Sequence, residues 1–282
     1  MDLILDWFEK NKRKLPWRTS SPWGVLVSEF MLQQTPVQRV LPLWQRWMEL
    51  WPTPADLASA PLSDALREWG RLGYPRRAKR LHQCAQAIVD AHGGEVPRTL
   101  AELRALPGIG EYTAAAIRAF AFHQSEVVLD INVRRLYARC WSGVAAPSNA
   151  LKNDERQLAS SLIPLGDDGT WASATMELGA LICKARTPLC HECPLAPICL
   201  WRAHGYPQPE ISATEHKKKA QWQGSDRQCR GVIMNALRNA ATVNKSELAK
   251  LWENQSQYEK AIASLLDDGL IEKRGSNFAL AR

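Results

Sequence analysis

Four of the seven cysteines crowd into one short stretch, Cys183, Cys190, Cys193 and Cys199, with the spacing C-x6-C-x2-C-x5-C. Thiolates so close in sequence can surround one metal centre. Two centres compete: a structural zinc ion and an iron–sulfur cluster. Zinc sites pair two short C-x2-C knuckles across a longer gap. One C-x2-C with wider arms suits a cubane better. Pro188, Pro194 and Pro197 stiffen the loop. All four ligands come from the protein, so the centre is structural and leaves no open position for substrate.

Two carboxylates sit in contrasting surroundings. Glu29 lies in WGVLVSEFMLQQT. On a helix its face would carry Val25, Leu26, Leu32 and Gln33, three of them apolar. A carboxyl turned inward is desolvated, its pKa rises and it keeps a proton to give. A buried pair with an arginine is the alternative. Asp130, in VVLDINVRRLYARC, follows apolar residues and precedes a helical pattern, an ordinary N-cap position. The positive end of a helix keeps such a carboxylate ionised. One proton donor and one fixed negative charge suit bond cleavage through a cationic transition state.

Two stretches fit phosphate. In LPGIGEYTAAAIRAF, Gly108 and Gly110 follow Pro107 and permit a tight turn with positive φ. The helix starts near Glu111, and its free N–H groups can grip a phosphate without reading sequence. In WGRLGYPRRAKR, Arg76, Arg77, Lys79 and Arg80 gather four cations in five residues, a charge source for a polyanion. A plain connection and a solvated basic turn are the alternatives.

The cysteine spacing and the glycine hairpin before it resemble the endonuclease III superfamily of DNA glycosylases. V-S-E-x-M-L-Q-Q-T and LDINVRRL are similar to the motifs of its MutY-type adenine glycosylases. The resemblance spans roughly Asp2 to Ala203. It implies a helix-hairpin-helix glycosylase fold, a [4Fe–4S] cluster on the four cysteines, and duplex DNA carrying A·8-oxoguanine or A·G mispairs as the partner. Glu29 would protonate adenine. Asp130, oriented by Asn132, would stabilise the sugar cation. Tyr112 stands where bifunctional members carry a Schiff-base lysine, which implies a monofunctional enzyme. Tyr74 matches the wedge that opens the base stack, and Gln34 the intercalating residue, with Thr35 beside it. Pro75 replaces a frequent second tyrosine. Trp17, Leu32 and Glu177 match the adenine pocket, with Arg13 and Arg18 as further candidates. Gly108, Gly110, Arg76, Arg77 and Lys79 would meet DNA phosphates. The family's larger C-terminal domain, related to Nudix hydrolases, has no visible counterpart. Two rivals remain: a thymine or uracil glycosylase for T·G and U·G mismatches, and a non-catalytic iron–sulfur, winged-helix DNA-binding regulator.

The elements that must position these residues are helices. Apolar residues recur at three- and four-residue spacing in LILDWFEK, VLPLWQRWMELW and ALREWGRL. Pro and Gly cut the chain into short pieces. This predicts an all-α body over 1–204, a linker over 205–228 and a small winged-helix-like domain over 229–282. The last comprises RGVIMNALRN, KSELAKLWE and YEKAIASLLDDG, then a hairpin turning at Arg274–Asn277. Net charge is +7, with 36 basic against 29 acidic side chains, which favours nucleic acid as partner. No apolar run reaches the ~20 residues of a membrane helix. The N-terminus carries Asp2 and reads as an amphipathic helix rather than a signal peptide. A cytoplasmic monomer is expected, with Cys84, Cys140 and Cys229 as packed thiols.

Overall fold

The computed structural model describes residues 2–208 and 222–282. Along the chain run α1 (Asp2–Asn11), a 3-10 turn (Pro16–Thr19), α2 (Pro22–Leu32), α3 (Val37–Leu50), α4 (Pro54–Ser59), α5 (Leu62–Glu68) and α6 (Arg76–His92). Then come α7 (Leu100–Ala105), α8 (Glu111–Phe122), α9 (Ile131–Cys140), α10 (Asn153–Ser161), α11 (Thr170–Leu181) and α12 (Leu200–Ala203). The remainder holds α13 (Asp226–Arg238), β1 (Val243–Asn244), α14 (Lys245–Ala249), α15 (Gln255–Asp267), β2 (Ile271–Arg274) and β3 (Asn277–Leu280). The expected linker therefore ends inside α13, and its residues 209–221 lie outside the described ones. No helix among the described residues is long and apolar enough to cross a membrane.

Two compact units form from segments distant in sequence. The first takes the described residues of Met1–Leu26, Arg98–Ala105 and Ile109–Glu215. Its core joins Ile4 and Phe8 of α1, Val133, Leu136 and Tyr137 of α9, and Trp171, Ala174 and Leu178 of α11. Trp171 Nε1 donates to the Tyr137 hydroxyl at 2.9 Å, so the indole is buried with its donor satisfied. Helix α11 packs on α9, α1 and α8. Gly179 allows the closest approach: a Cβ there would stand 2.8 Å from the Asn132 carbonyl oxygen. An alanine gains about 1 kcal/mol of helix propensity but collides with backbone that cannot swing aside, at about 1–3 kcal/mol. Gly179→Ala is expected to lower the melting temperature, checked by thermal denaturation.

The second unit takes the described residues of Val27–Pro97, Leu106–Gly108 and His216–Arg282. Helices α4 and α5 pack on α6. Trp47 meets Trp51 and Trp69 edge to face, with ring centroids 4.8 and 5.5 Å apart. The three-helix and hairpin element at the C-terminal end agrees with the sequence pattern. Its sheet has the order β1-β3-β2, all antiparallel, with Arg274 paired to Asn277 across the turn. Strand β1 went unread because two residues are too few to show alternation. The core of this element gathers Ile233, Leu237, Leu248, Tyr258, Leu265 and Phe278.

Candidate active site and cluster loop

In the first unit Asp130 caps α9. Its Oδ1 accepts from the Val133 N–H at 2.7 Å and its Oδ2 from Asn132 Nδ2 at 2.7 Å. It is therefore the N-cap that the sequence suggests, and it is partly exposed. Burial pushes its carboxyl above the ordinary aspartate range, although Val133 and Asn132 pull it back. The cap acts in the expected sense, but desolvation outweighs it. Asn132 is held in turn: Arg135 donates to Asn132 Oδ1 at 2.8 Å, to the Gly179 carbonyl at 2.8 Å and to the Cys183 carbonyl at 2.7 Å. A continuous chain of hydrogen bonds thus runs from Asp130 to the first cysteine of the loop. Two buried cations on an otherwise apolar helix face, Arg135 and Arg139, carried that message in the sequence and went unread.

Glu177, only 2 % exposed, projects from α11. Arg13 grips it with its backbone N–H and Nε on Oε1, both at 2.8 Å, and with a terminal nitrogen on Oε2 at 2.7 Å. Arg18 adds a contact at 3.2 Å and donates to the Arg13 carbonyl at 2.8 Å. Burial alone would raise the Glu177 pKa, but the Arg13 hydrogen bonds and both guanidinium charges take it below the usual range. The carboxylate is ionised and fully engaged, so its work is to hold two arginines. Trp17 is buried in the 3-10 turn that also carries Arg18.

The hairpin between α7 and α8 has one left-handed glycine, not two. Gly108 has φ +83°, and a Cβ there would lie 2.9 Å from the Phe30 ring. Gly110 is extended, at φ −95°, and caps α8 with no side-chain hydrogen bond. Tyr112, 36 % exposed, stands on the first turn of α8.

In the second unit Glu29 is 7 % exposed on α2, as its apolar stripe predicts. Leu32 and Gln33 are half-buried where α2 ends. Gln34 and Tyr74 are both exposed and both left-handed, with φ 54° and 50°. Non-glycine residues rarely adopt that conformation, and it concentrates at functional loops.

The basic stretch departs from expectation. Arg77 is turned inward and only 8 % exposed. One terminal nitrogen donates to the carbonyls of Phe30 and Met31 at 3.0 Å and of Gln33 at 2.5 Å. The other reaches Thr35 Oγ1 and the Gly73 carbonyl, both at 3.1 Å. Burial pulls its pKa down to about 10. It ties the Gln34 and Tyr74 loops together and is not free for phosphate. Thr35 is likewise buried behind the loop rather than presented. Arg76 pairs with Asp268, and Lys79 donates to the Asp268 carbonyl at 2.7 Å. Of the four cations Arg80 alone has no hydrogen-bond or ion-pair partner for its guanidinium among the described residues. Glu29 and Asp130 fall in different units.

Back in the first unit, the four loop thiols line one pocket with Leu136, Arg139, Cys140 and Trp201. Arg139 donates to the Lys184 and Ala185 carbonyls at 2.7 and 3.0 Å and reaches Cys183 Sγ at 3.6 Å. Its guanidinium lies 4.4 Å from the Trp201 ring. Among the described residues no group of side chains is arranged to hold a single metal ion. Four thiols lining one pocket, beside a buried guanidinium that favours anionic sulfur, fit an iron–sulfur cluster. Cys140, expected to be merely packed, belongs to this pocket, whereas Cys84 and Cys229 are plain core thiols.

Comparison with known proteins agrees. Residues 27–159 match the HhH-GPD superfamily base excision DNA repair protein model. Residues 183–199 match the iron–sulfur binding domain of endonuclease III, and a [4Fe–4S] cluster is the cofactor. The adenine DNA glycosylase of Mycolicibacterium smegmatis is 45% identical, covering 99% of this chain and 94% of that one. The adenine DNA glycosylase of Homo sapiens is 41% identical over 70% of this chain and 38% of its own length. Among solved structures, a thermostable thymine-DNA glycosylase has a TM-score of 0.66 and 27% identity, covering 72% of this chain and 94% of that one. A non-covalent endonuclease III–DNA complex shares the fold at TM-score 0.63 and 24% identity, over 73% of this chain and 95% of that one. Likeness at 45% identity from end to end decides the family: the chain belongs to the adenine DNA glycosylases, within the HhH-GPD superfamily of base excision DNA repair proteins.

Proposed function

We propose that the chain is a monofunctional adenine DNA glycosylase that removes adenine paired with 8-oxoguanine or guanine. The observation that carries the reading is Asp130, a half-buried carboxylate fixed by two donors and by the Arg135 chain behind it. Adenine is a poor leaving group as an anion. Glu29, shielded from water, gives it a proton as the C1′–N9 bond breaks and the electron pair goes to the base. Asp130 stabilises the cationic sugar, water adds its oxygen to C1′, and the proton it loses restores Glu29. Free adenine and an abasic site result. Tyr112 offers a phenol and no amine, so no Schiff base forms. Glu177 holds Arg13 and Arg18, which with Trp17 contact adenine, Leu32 offers the base an apolar side chain, and Gln34 and Tyr74 open the stack. The cluster, when bound, fixes the 183–199 loop, and Arg135 passes that rigidity to Asn132. A cytoplasmic monomer goes with this reading.

The thymine-DNA glycosylase likeness keeps one rival in view. Purified protein is incubated with A·8-oxoguanine, A·G and T·G duplexes and then treated with alkali. Cleavage is expected on the first two and absent on the third. Excision at T·G alone, or nicking before alkali, would sink the proposal.

A further inference from the structure

The second unit contains a cleft of about 1480 Å³ between the Gln33–Arg39 and Gly70–Arg80 loops on one side and α13 with Trp222 on the other. Among the described residues eight arginines line it, and no Asp or Glu does. Five of them have partners within the unit. Arg39 donates to the Arg71 carbonyl, Arg77 is turned inward, Asp268 holds Arg76 and Arg230, and Arg238 donates to the Leu66 carbonyl at 3.0 Å. The guanidinium groups of Arg71, Arg80 and Arg227 make no hydrogen bond or ion pair with any described residue, and all three residues are exposed. Like charges facing one cavity repel one another until an anion enters it.

Arg227 also has a fixed place. Its guanidinium lies 4.3 Å from the Tyr74 ring and 5.5 Å from the Trp222 ring. Contact with the two rings restrains the side chain without using any of its N–H donors, and a planar fork of donors is the form in which arginine receives phosphate oxygens. The same contact braces Tyr74, whose left-handed backbone costs energy and needs support from its surroundings. Arg77 approaches that ring to 5.5 Å as well. Neither matched family segment, 27–159 or 183–199, includes α13.

We propose that this cleft is a groove for the DNA sugar–phosphate backbone, and that the small C-terminal element is its second wall. Arg227 on that wall and Arg71 and Arg80 opposite take phosphates of the strand passing over Tyr74. The proposal rests on the chain acting on DNA, but not on adenine being the base removed.

The test is the affinity of the full-length protein for an undamaged fluorescent duplex across a salt series, which needs no excision. Each phosphate contact contributes roughly 0.9 to the slope of log K against log salt. Arg227→Ala and Arg71→Ala are each expected to lower the slope by about one contact and to weaken low-salt binding roughly tenfold. Arg227→Lys keeps the charge and the slope. Lys260→Ala, on α15 and outside the cleft, changes neither. Wild-type slopes in both arginine variants, or an equal loss in Lys260→Ala, would overturn the proposal. Should Arg227→Ala melt early because Tyr74 loses its brace, Arg71→Ala decides, since the Arg71 guanidinium has no partner among the described residues. Absence of adenine release with these slopes intact would count against the excision reading alone.

Discussion

Asp130→Asn is expected to lower single-turnover adenine excision by about a thousandfold or more while DNA binding persists. The lost charge is the counter-ion of the sugar cation, and fixed electrostatic groups of this kind contribute on the order of 10²–10³ in rate each. Glu29→Gln should fall by a similar factor, because a positioned general acid contributes about 10²–10⁴. The fold should not suffer at Asp130. Asparagine caps helices as well as aspartate does, and its amide oxygen still accepts from Val133. Burial raises the folded pKa of Asp130. Any stability from this group is therefore present below its unfolded pKa and lost as pH rises through the folded one. At neutral pH the ionised carboxylate costs stability, and relief of that cost offsets the donor–donor contact that the new amide makes with Asn132 Nδ2, so Asp130→Asn should melt close to the wild-type temperature. A lower melting point with rate and binding falling together would instead mark Asp130 as a structural cap only.

The largest stability effect is expected at Arg77. Arg77→Met removes five hydrogen bonds, takes the guanidinium donor from the carbonyls of Phe30 and Met31, and leaves Gln33 and Gly73 with one donor each, Thr35 Oγ1 and Trp69 Nε1. Hydrogen bonds to charged groups are worth about 1.5–3 kcal/mol each but are far from additive, so a total loss of about 3 kcal/mol is expected. In a chain of this size that is a fall of several degrees in melting temperature. Arg77→Lys should not rescue it, because one ammonium cannot reproduce a planar fork serving two loops. Exposed Gln34 and Tyr74 lose their anchor together, so proteolysis should begin in these loops. A variant that melts with the wild type would show that the loops hold themselves.

The inward turn of Arg77 was legible, although the charge run hid it. Arg77, Leu81, Cys84, Ala85 and Ile88 lie at three- and four-residue spacing, and all are buried on α6. Arg77 extends an apolar stripe, whereas Arg76 and Arg80 fall beside it. Periodicity likewise placed Glu29 inside, and capping chemistry placed Asp130 at the start of α9. The capture of Arg76 and Lys79 by Asp268 was not legible, because tertiary contacts across nearly the whole second unit leave no local pattern. The same holds for Arg13 on Glu177, a pair 164 residues apart, which only the family resemblance brought together. The division into two discontinuous units was equally hidden, since local helix spacing says nothing of which helices gather.

Everything chemical depends on one carboxyl holding a proton while another holds a charge. The most direct measurement is the pH dependence of single-turnover excision for the wild type and Glu29→Gln. A bell is expected. Its acid limb should lie above the ordinary aspartate range, because burial lifts Asp130 and the rate falls as that group protonates. Its alkaline limb belongs to Glu29 and should vanish in Glu29→Gln, whose residual rate stays flat on that side. An alkaline limb that survives in Glu29→Gln, or a wild-type profile flat across both limbs, would contradict the assignment.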